Sequence, residues 1–343
     1  MSTKDKLPVI KILIYPFDGI LHLIEPLQTR LYSLDIHTTI TNTNIKTDDT
    51  IIVDLNYFTG KPLPLLFELV EYVIQQIPFQ FNSLPFLLEG ESKILRLLNS
   101  KIVVEQFKPT VYSYTHNRYG EVKGTEELRV LFTTEVFRNL NRYSIAHGKS
   151  LKNAFLAIVF SSEGVLLVQE KIEACNLEIR VKRYHIGSPV HRYKYTEEYN
   201  TVQTDEAPLN KWSRFIEPIV CFDWRHPLFD ENGNRLSDEP ISDDYASIWM
   251  HDVAEGKRLA RETFIFLEKL FRDSGFLLVD ICFFIDQSGH ILYGEISQDC
   301  MRVKNSLRDP SLSESMDKDL WRQGEKEELL AERYHNLYQS IFK

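Results

Sequence analysis

Three carboxylates, Asp280, Glu295 and Asp299, fall within or just beyond two apolar runs that read as a β-hairpin. Leu277, Leu278, Val279, Ile281 and Phe283 make the first run, Gln287-Ser288-Gly289 supplies the turn chemistry, and Ile291, Leu292 and Tyr293 resume the second. A carboxylate taken out of water costs several kcal/mol unless a cation compensates it. Such a hairpin is therefore either a structural salt-bridge site or the seat of a metal or cationic ligand, and these residues alone leave both open. Upstream, Leu177, Ile179 and Val181 alternate with Glu178, Arg180 and Lys182, the pattern of a half-buried strand with one charged face.

The elements that must position these groups follow in chain order. Residues 8–15 and 50–55 read as compact apolar strands and Ile36 to Thr41 as a β-branched strand; Ile20 to Leu34 and Pro64 to Ile77 carry helical spacing. This β/α alternation predicts a small α/β unit over residues 1–85. It holds no glycine-rich phosphate loop, since Gly60-Lys61-Pro62 lacks the Walker spacing. Asp54, at a strand end, reads foremost as a cap or turn former. Beyond it come a strand at Ile102 to Phe107, a polar loop from Tyr112 to Gly124, and a helix from Glu126 to Ser144 with a solvated charged face. Phe155 to Phe160 and Val165 to Val168 form a hairpin, and Ile219 to Asp223 a short strand. Helices follow around Asp244–Trp249 and Val253–Ser274, the first capped by Ser242 or Asp243 and the second closed by Gly275. After Arg302 the chain is polar until a last helix, Glu325 to Ile341.

Bulk composition bounds the partners. The net charge of −9 excludes a general nucleic-acid binder, which carries a basic excess, but leaves room for a local basic pocket. Cys175, Cys221, Cys282 and Cys300 lack CxxC spacing and read as reduced thiols. No apolar run is long enough to span a bilayer, Lys11 and Pro16 break the first one, and the expected setting is the cytoplasm. His251 has no second histidine at ligand spacing, so no zinc site is expected.

Three segments in order resemble one family. Val279-Asp280, then a second strand, then Glu295-Ile296-Ser297 with Asp299 and Arg302, looks like the C-terminal signature of SAICAR synthetase (phosphoribosylaminoimidazole-succinocarboxamide synthase). Glu239-Pro240-Ile241-Ser242-Asp243-Asp244 resembles its D-P-L-I-S-D-D, and Met316-Asp317-Lys318-Asp319 with Arg322 its closing x-D-K-D-x-x-R. Leu88 to Lys93 resembles the opening G-K-x-K, with Gly90 and Lys93 matching; Lys123-Gly124 resembles a K-G before a helix; and Lys171 to Ser188 resembles a segment ending in G-S.

The resemblance implies an α+β, two-lobed nucleotide-binding fold over residues 86–343, with an N-lobe of about 86–185 and a C-lobe of about 186–343, preceded by the small α/β unit. It implies an ATP- and Mg²⁺-dependent ligase acting in purine synthesis or a related pathway. That enzyme forms an amide between a carboxylate of an aminoimidazole ribonucleotide-like substrate and an amino acid such as aspartate, through an acyl phosphate. The roles it implies are catalytic for Asp280, Glu295, Asp299 and Arg302, with Asp280 and Glu295 also holding the metal. Gly90, Lys93, Lys123 and Glu178 would bind ATP. Lys182, Gly187, Ser188, Asp243, Ser297, Lys318 and Arg322 would bind substrate. Partners are then small molecules, a ribonucleotide and an amino acid, with no nucleic acid and no membrane; a homo-oligomer is left open.

Four positions depart from the pattern: Glu91, Cys282, Phe284 and Gly294 stand where the family carries a lysine, a lysine, a glutamate and an acid. Lys182 also replaces an arginine, a point charge for a bidentate fork. The departures cluster on the ATP and metal side. They define a second reading, a protein that binds a nucleotide or ribotide without ATP activation, and a third, a structural protein whose acidic hairpin is a salt-bridge network.

Overall fold

The computed structural model describes residues 11–16, 18–41, 51–60, 65–113, 118–187, 190, 202, 208–225, 229–233 and 240–343. The chain divides into two compact units, Met1–Lys108 with Ala154–Ile172, and Pro109–Asn153 with Glu173–Lys343.

In the first unit, strands β1 (Lys11–Tyr15), β2 (His37–Ile40) and β3 (Ile51–Asp54) form a parallel sheet in the order β2-β1-β3. Helices α1 (Leu21–Ser33) and α2 (Leu66–Gln75) complete the α/β unit read from the alternation. Their apolar stripes, Ile24, Leu27 and Leu31 on α1 and Leu69, Val70, Val73 and Ile74 on α2, are buried at helical spacing. The Asp54 side chain accepts from Asn56 N at 2.8 Å, so this residue is a cap. An antiparallel sheet follows, built of β4 (Phe86–Glu89), β5 (Lys93–Leu97), β6 (Ile102–Phe107), β9 (Phe155–Ser161) and β10 (Gly164–Glu170), in the order β4-β5-β6-β10-β9. Ile12, Leu31, Val53 and Val73 share one apolar cluster with Leu98, Val104, Leu156 and Val168, so the N-terminal segment and this sheet bury a common core.

In the second unit, the stretch expected to be a polar loop instead pairs as β7 (Thr110–Ser113) and β8 (Arg118–Glu121), with Tyr112 opposite Tyr119. Its β-branched and aromatic residues favour a pleated pair over a loop. Helix α3 (Thr125–Ala146) follows. The main sheet runs β12 (Arg214–Trp224), β11 (Leu177–Tyr184), β13 (Leu277–Ile285), β14 (Leu292–Tyr293), and β15 (Met301–Lys304) also pairs with β13. The expected short strand at 219–223 is thus part of an 11-residue one. The residues after Arg302 contribute a strand end that the polar composition concealed.

Val181, Val279, Ile281 and Phe283 form the buried apolar side of this sheet. Helix α4 (Val253–Asp273), buried through Leu259, Phe264, Leu267 and Phe271, packs on β11, β12 and β13. Helix α5 (Glu327–Phe342) packs on α3, where Phe132 meets Phe342 at 5.0 Å between ring centroids. With one face of the sheet committed to core, period-two alternation delivers the charged residues to the other.

Candidate functional site

Register decides which charges meet. Lys182 on β11 lies opposite Asp280 on β13, and Asp280 lies opposite Arg302 on β15. Asp280 Oδ2 accepts from Lys182 Nζ at 2.7 Å and from Arg302 Nη1 at 2.6 Å. Burial works against the Asp280 charge, but Arg302 and then Lys182 outweigh it and hold its pKa down at about 2. Gly187 closes this corner: at φ +78° it sits where a Cβ would lie 3.5 Å from both Arg302 Nη atoms and 3.7 Å from Lys182 Nζ. The Lys182 side chain is only 5% exposed and that of Arg302 24%, so Arg302 is the cation an anionic ligand reaches.

The closing motif extends the network. Arg302 Nε donates to Asp319 Oδ2 at 3.1 Å, and Arg322 pairs with the same carboxylate. Lys318 Nζ donates to Asp299 Oδ2 at 2.8 Å, and Tyr334 Oη to Asp299 Oδ1 at 3.2 Å. Asp317, fully buried, accepts from Val303 N and from Asp319 N, each at 2.7 Å. Burial, helped by the neighbouring Asp319 charge, raises its pKa to about 7.

At the other end of β11, Arg180 Nη2 donates to Glu178 Oε2 at 3.0 Å and Arg180 Nε lies 3.3 Å from Asp223 Oδ2 on β12. Burial opposes ionisation of Glu178, yet Arg180 and a hydrogen bond from the Cys282 thiol keep its pKa low. The same arrangement, burial first and then the Glu178 charge, pushes the Cys282 thiol well above its usual range. Phe284 stands under the guanidinium of Arg225, 4.5 Å from its ring centre. Asp286 does not take over from the glutamate expected at position 284. Its carboxylate accepts from Ser288 Oγ at 2.6 Å, His290 N at 3.0 Å and Ile291 N at 2.9 Å, which fixes the β13–β14 turn.

Glu295 is held apart from Asp280 by a partner of its own. Arg129 of α3 reaches it with two bonds, Nε–Oε1 at 2.7 Å and Nη2–Oε2 at 2.9 Å. The face of α3 expected to be solvated thus carries a fully buried arginine. Ser297, expected at the substrate, is also buried; its hydroxyl bonds Glu295 and accepts from Asp299 N at 3.1 Å. A divalent cation needs carboxylate oxygens free to coordinate it. Asp280 is committed to Lys182 and Arg302, and Glu295 to Arg129, so Mg²⁺ does not fit at this pair as they stand. Among the described residues no group of three or more His, Cys, Asp or Glu side chains clusters for a metal.

Two expected nucleotide-binding residues lie in the first unit. Gly90 starts the turn joining β4 and β5, with nothing within 4 Å of where a Cβ would stand. Lys93 Nζ lies 3.3 Å from Glu105 Oε2 and 4.4 Å from the Phe107 ring centre. Lys108, which sequence reasoning missed, donates to Gly90 O at 2.9 Å and pairs with Glu89 at 2.5 Å. This turn therefore carries a second lysine although position 91 is acidic, and its Gly90 amide is already bonded to Lys93 O at 2.9 Å.

In the second unit, Lys123 is exposed before α3, whose first turn starts at Gly124 with φ +90°. Asp243 is exposed and paired with Lys257 at 2.8 Å. Ser188 lies outside the described residues. The polar alternation of Glu178-Ile179-Arg180-Val181-Lys182 was the signal for Arg180; Arg129 and Tyr334 gave none, because each sits on an ordinary helix pattern.

Comparison with known proteins gives this geometry its context. The family model of SAICAR synthetase matches residues 87–337. The bifunctional cordycepin biosynthesis cluster protein 3 of Cordyceps militaris is 24% identical over 278 residues, which are 69% of this chain and only 30% of that longer protein. The phosphoribosylaminoimidazole-succinocarboxamide synthase of Methanocaldococcus jannaschii is 25% identical over 239 residues, 69% of this chain and 86% of that one. A solved SAICAR synthetase in complex with ADP shares the fold at a TM-score of 0.57 and 23% identity, over 74% of this chain and 97% of the other. The match to the family runs from the lysine-bearing turn through the charged sheet to the closing helices, and this chain belongs to the SAICAR synthetase family.

Proposed function

We propose that the protein is an ATP-dependent ligase. It joins a carboxylate of an aminoimidazole ribonucleotide-like substrate to the amine of an amino acid such as aspartate, in purine-type nucleotide synthesis in the cytoplasm. The observation that carries this reading is the corner formed by Lys182, Arg302 and Gly187 around Asp280. A partly exposed arginine, backed by an ion pair and bordered by bare glycine backbone, suits the phosphate of a ribotide.

In the reaction, a substrate carboxylate oxygen bonds to the γ-phosphorus of ATP as the bond to ADP breaks. The amine nitrogen then attacks the acyl carbon, orthophosphate leaves and the nitrogen gives up a proton. Within this scheme Glu178 accepts from the nucleoside and Arg302 orients the ribotide. Asp280 keeps Arg302 and Lys182 aimed, while Asp319 steadies Arg302 from the other side. Magnesium enters as the ion that ATP chemistry calls for, and no step is drawn through Asp280 or Glu295 as its ligands.

The test is ADP release on mixing the protein with ATP, Mg²⁺, an aminoimidazole carboxylate ribotide and aspartate. ADP release that needs all three substrates, and a large rise in the KM for the ribotide in Arg302→Gln, are expected. Tight ribotide binding without ADP release would instead support a binding protein that lacks ATP activation.

A further inference from the structure

Asp317 is a buried carboxylate held differently from the others in this network. Asp280 and Glu295 each meet a lysine or an arginine. The partners of Asp317 among the described residues are two main-chain amides, Val303 N and Asp319 N. Taking a carboxylate out of water on those terms is unfavourable, which points to a role other than stability.

The two amides belong to the two mounts of one side chain. Val303 follows Arg302 on β15, whose inner edge pairs with β13. The outward groups of Val303 are taken by the closing motif: Met316 N donates to Val303 O at 2.9 Å, and Asp317 Oδ2 accepts from Val303 N at 2.7 Å. Asp319 carries the carboxylate that receives Arg302 Nε at 3.1 Å, and its own N–H donates to Asp317 Oδ1 at 2.7 Å. One side chain therefore joins the backbone beside Arg302 to the backbone that presents the partner of Arg302. Its charge also reaches the guanidinium. Burial disfavours the Arg302 cation, and Asp280, Asp319 and Asp317, in that order, outweigh it.

We infer that Asp317 is a positioning residue for Arg302. By bracing Val303 against Asp319, it sets the guanidinium where the ribotide phosphate meets it, and it does not touch the ligand itself. This inference rests on the ribotide corner of the ligase reading. A guanidinium recognises phosphate through a planar fork, so affinity falls steeply when its mount shifts. Without the Asp317 carboxylate, the Val303 and Asp319 amides lose their acceptor, and the Asp319 side chain is free to turn away from Arg302.

The experiment compares wild type, Asp317→Asn, Asp319→Asn, Arg302→Gln and the double variant Asp317→Asn/Arg302→Gln. Each is titrated calorimetrically with an aminoimidazole carboxylate ribotide alone and, separately, with ATP and Mg²⁺. Asparagine matches aspartate in size but keeps one acceptor oxygen for two amides. Asp317→Asn should weaken ribotide binding about tenfold and change ATP affinity by about threefold or less. Asp319→Asn leaves both backbone bonds in place and loosens only the hold on Arg302, so it should show the same selective loss even where Asp317→Asn folds poorly. In the Arg302→Gln background, Asp317→Asn should alter ribotide affinity by less than about twofold, because nothing remains for it to position. Equal losses for ribotide and ATP, or a ribotide loss that persists in the Arg302→Gln background, would make Asp317 purely structural and overturn this inference alone. Wild-type ribotide affinity in a folded Asp317→Asn overturns it as well. Wild-type protein that binds the ribotide but releases no ADP with ATP and aspartate overturns the ligase reading and not this inference; wild-type protein that binds no ribotide overturns both.

Discussion

Arg129 and Glu295 form a bidentate ion pair, 2.7 and 2.9 Å long, sealed inside the second unit between α3 and the segment after β14. Neither member is available to solvent: the arginine is fully buried and the glutamate 4% exposed. Burial disfavours the guanidinium charge, yet the Glu295 carboxylate more than reverses this and raises the arginine pKa. Removing one partner of such a pair leaves the other charged and unsolvated, which typically costs 3–5 kcal/mol. Glu295→Gln should therefore lower stability by about that much, and Arg129→Met/Glu295→Leu should recover most of it. Urea denaturation of the single and double variants measures this. If Glu295 instead served chiefly as a metal ligand, Glu295→Gln would unfold near the wild-type midpoint.

The Gly187 corner makes a separable prediction. The residue adopts φ +78°, where an L side chain costs about 1–2 kcal/mol, and the added methyl would stand against the Arg302 guanidinium. Gly187→Ala should lose about 1 kcal/mol of stability and about tenfold in affinity for the ribotide, with ATP affinity unmoved. Calorimetric titration of each ligand into the variant decides it. An equal loss for both ligands would detach Gly187 from the ribotide and make it a purely structural residue.

Two buried carboxylates give the chain opposite responses to pH. Asp280 has a pKa of about 2 against an ordinary 3.8, so its stabilising charge is fully present above about pH 4 and is lost as pH falls toward 2. That contribution is about 2 kcal/mol. Asp317, raised to about 7, works the other way. Between about pH 4 and 7 the unfolded chain releases this proton before the folded one does, so stability falls as pH rises through the window and levels off above it. The stability gap between wild type and Asp280→Asn should widen from pH 2 to 4 and then stay flat. The gap between wild type and Asp317→Asn should narrow from pH 4 to 7. Parallel slopes for the two variants would contradict the assignments.

Much of this was legible in the residues. The alternation around Glu178-Arg180-Lys182 and the run Leu277 to Phe283 gave both central strands, because one apolar face imposes a period of two. The β/α alternation gave the strands and helices of the N-terminal segment but not their parallel pairing, and capping chemistry gave the end of α4 at Gly275. What the sequence withheld was pairing between distant segments. That Asp280 faces Lys182 and Arg302 follows from pairings across 98 and 22 residues, which local pattern does not encode. Arg129 read as one charge on a solvated helix, since α3 is amphipathic only weakly and its buried arginine is explained by a glutamate 166 residues away. Strand β15 escaped notice because Arg302 and Lys304 interrupt its apolar residues, and the groups that satisfy them come from the polar stretch beyond: Lys304 is buried against Ser315, and Arg302 pairs with Asp319.

The β13–β14 turn offers a test of how the charged sheet is anchored to α4. Gly289 has φ +87°, and a Cβ there would lie 2.3 Å from the carbonyl oxygen of Asp252. Asp252 is the cap of α4: its side chain accepts from Glu255 N at 2.9 Å and its carbonyl from Gly256 N at 3.0 Å. That oxygen belongs to backbone already bonded into the helix start, so it cannot swing aside as the end of a long side chain could. Gly275 supplies the control, with nearly the same φ of +86° and nothing within 4 Å of its added methyl. Gly275→Ala should cost only the left-handed strain, about 1–2 kcal/mol. Gly289→Ala carries that strain and must also push the turn off α4, so its loss should exceed the control by at least about 2 kcal/mol. Because Asp286 sets the same turn through three bonds from residues 288, 290 and 291, the displacement should reach β13 and lower turnover as well. Equal losses for the two variants in urea would show that the turn yields freely, and that the sheet keeps its place without α4.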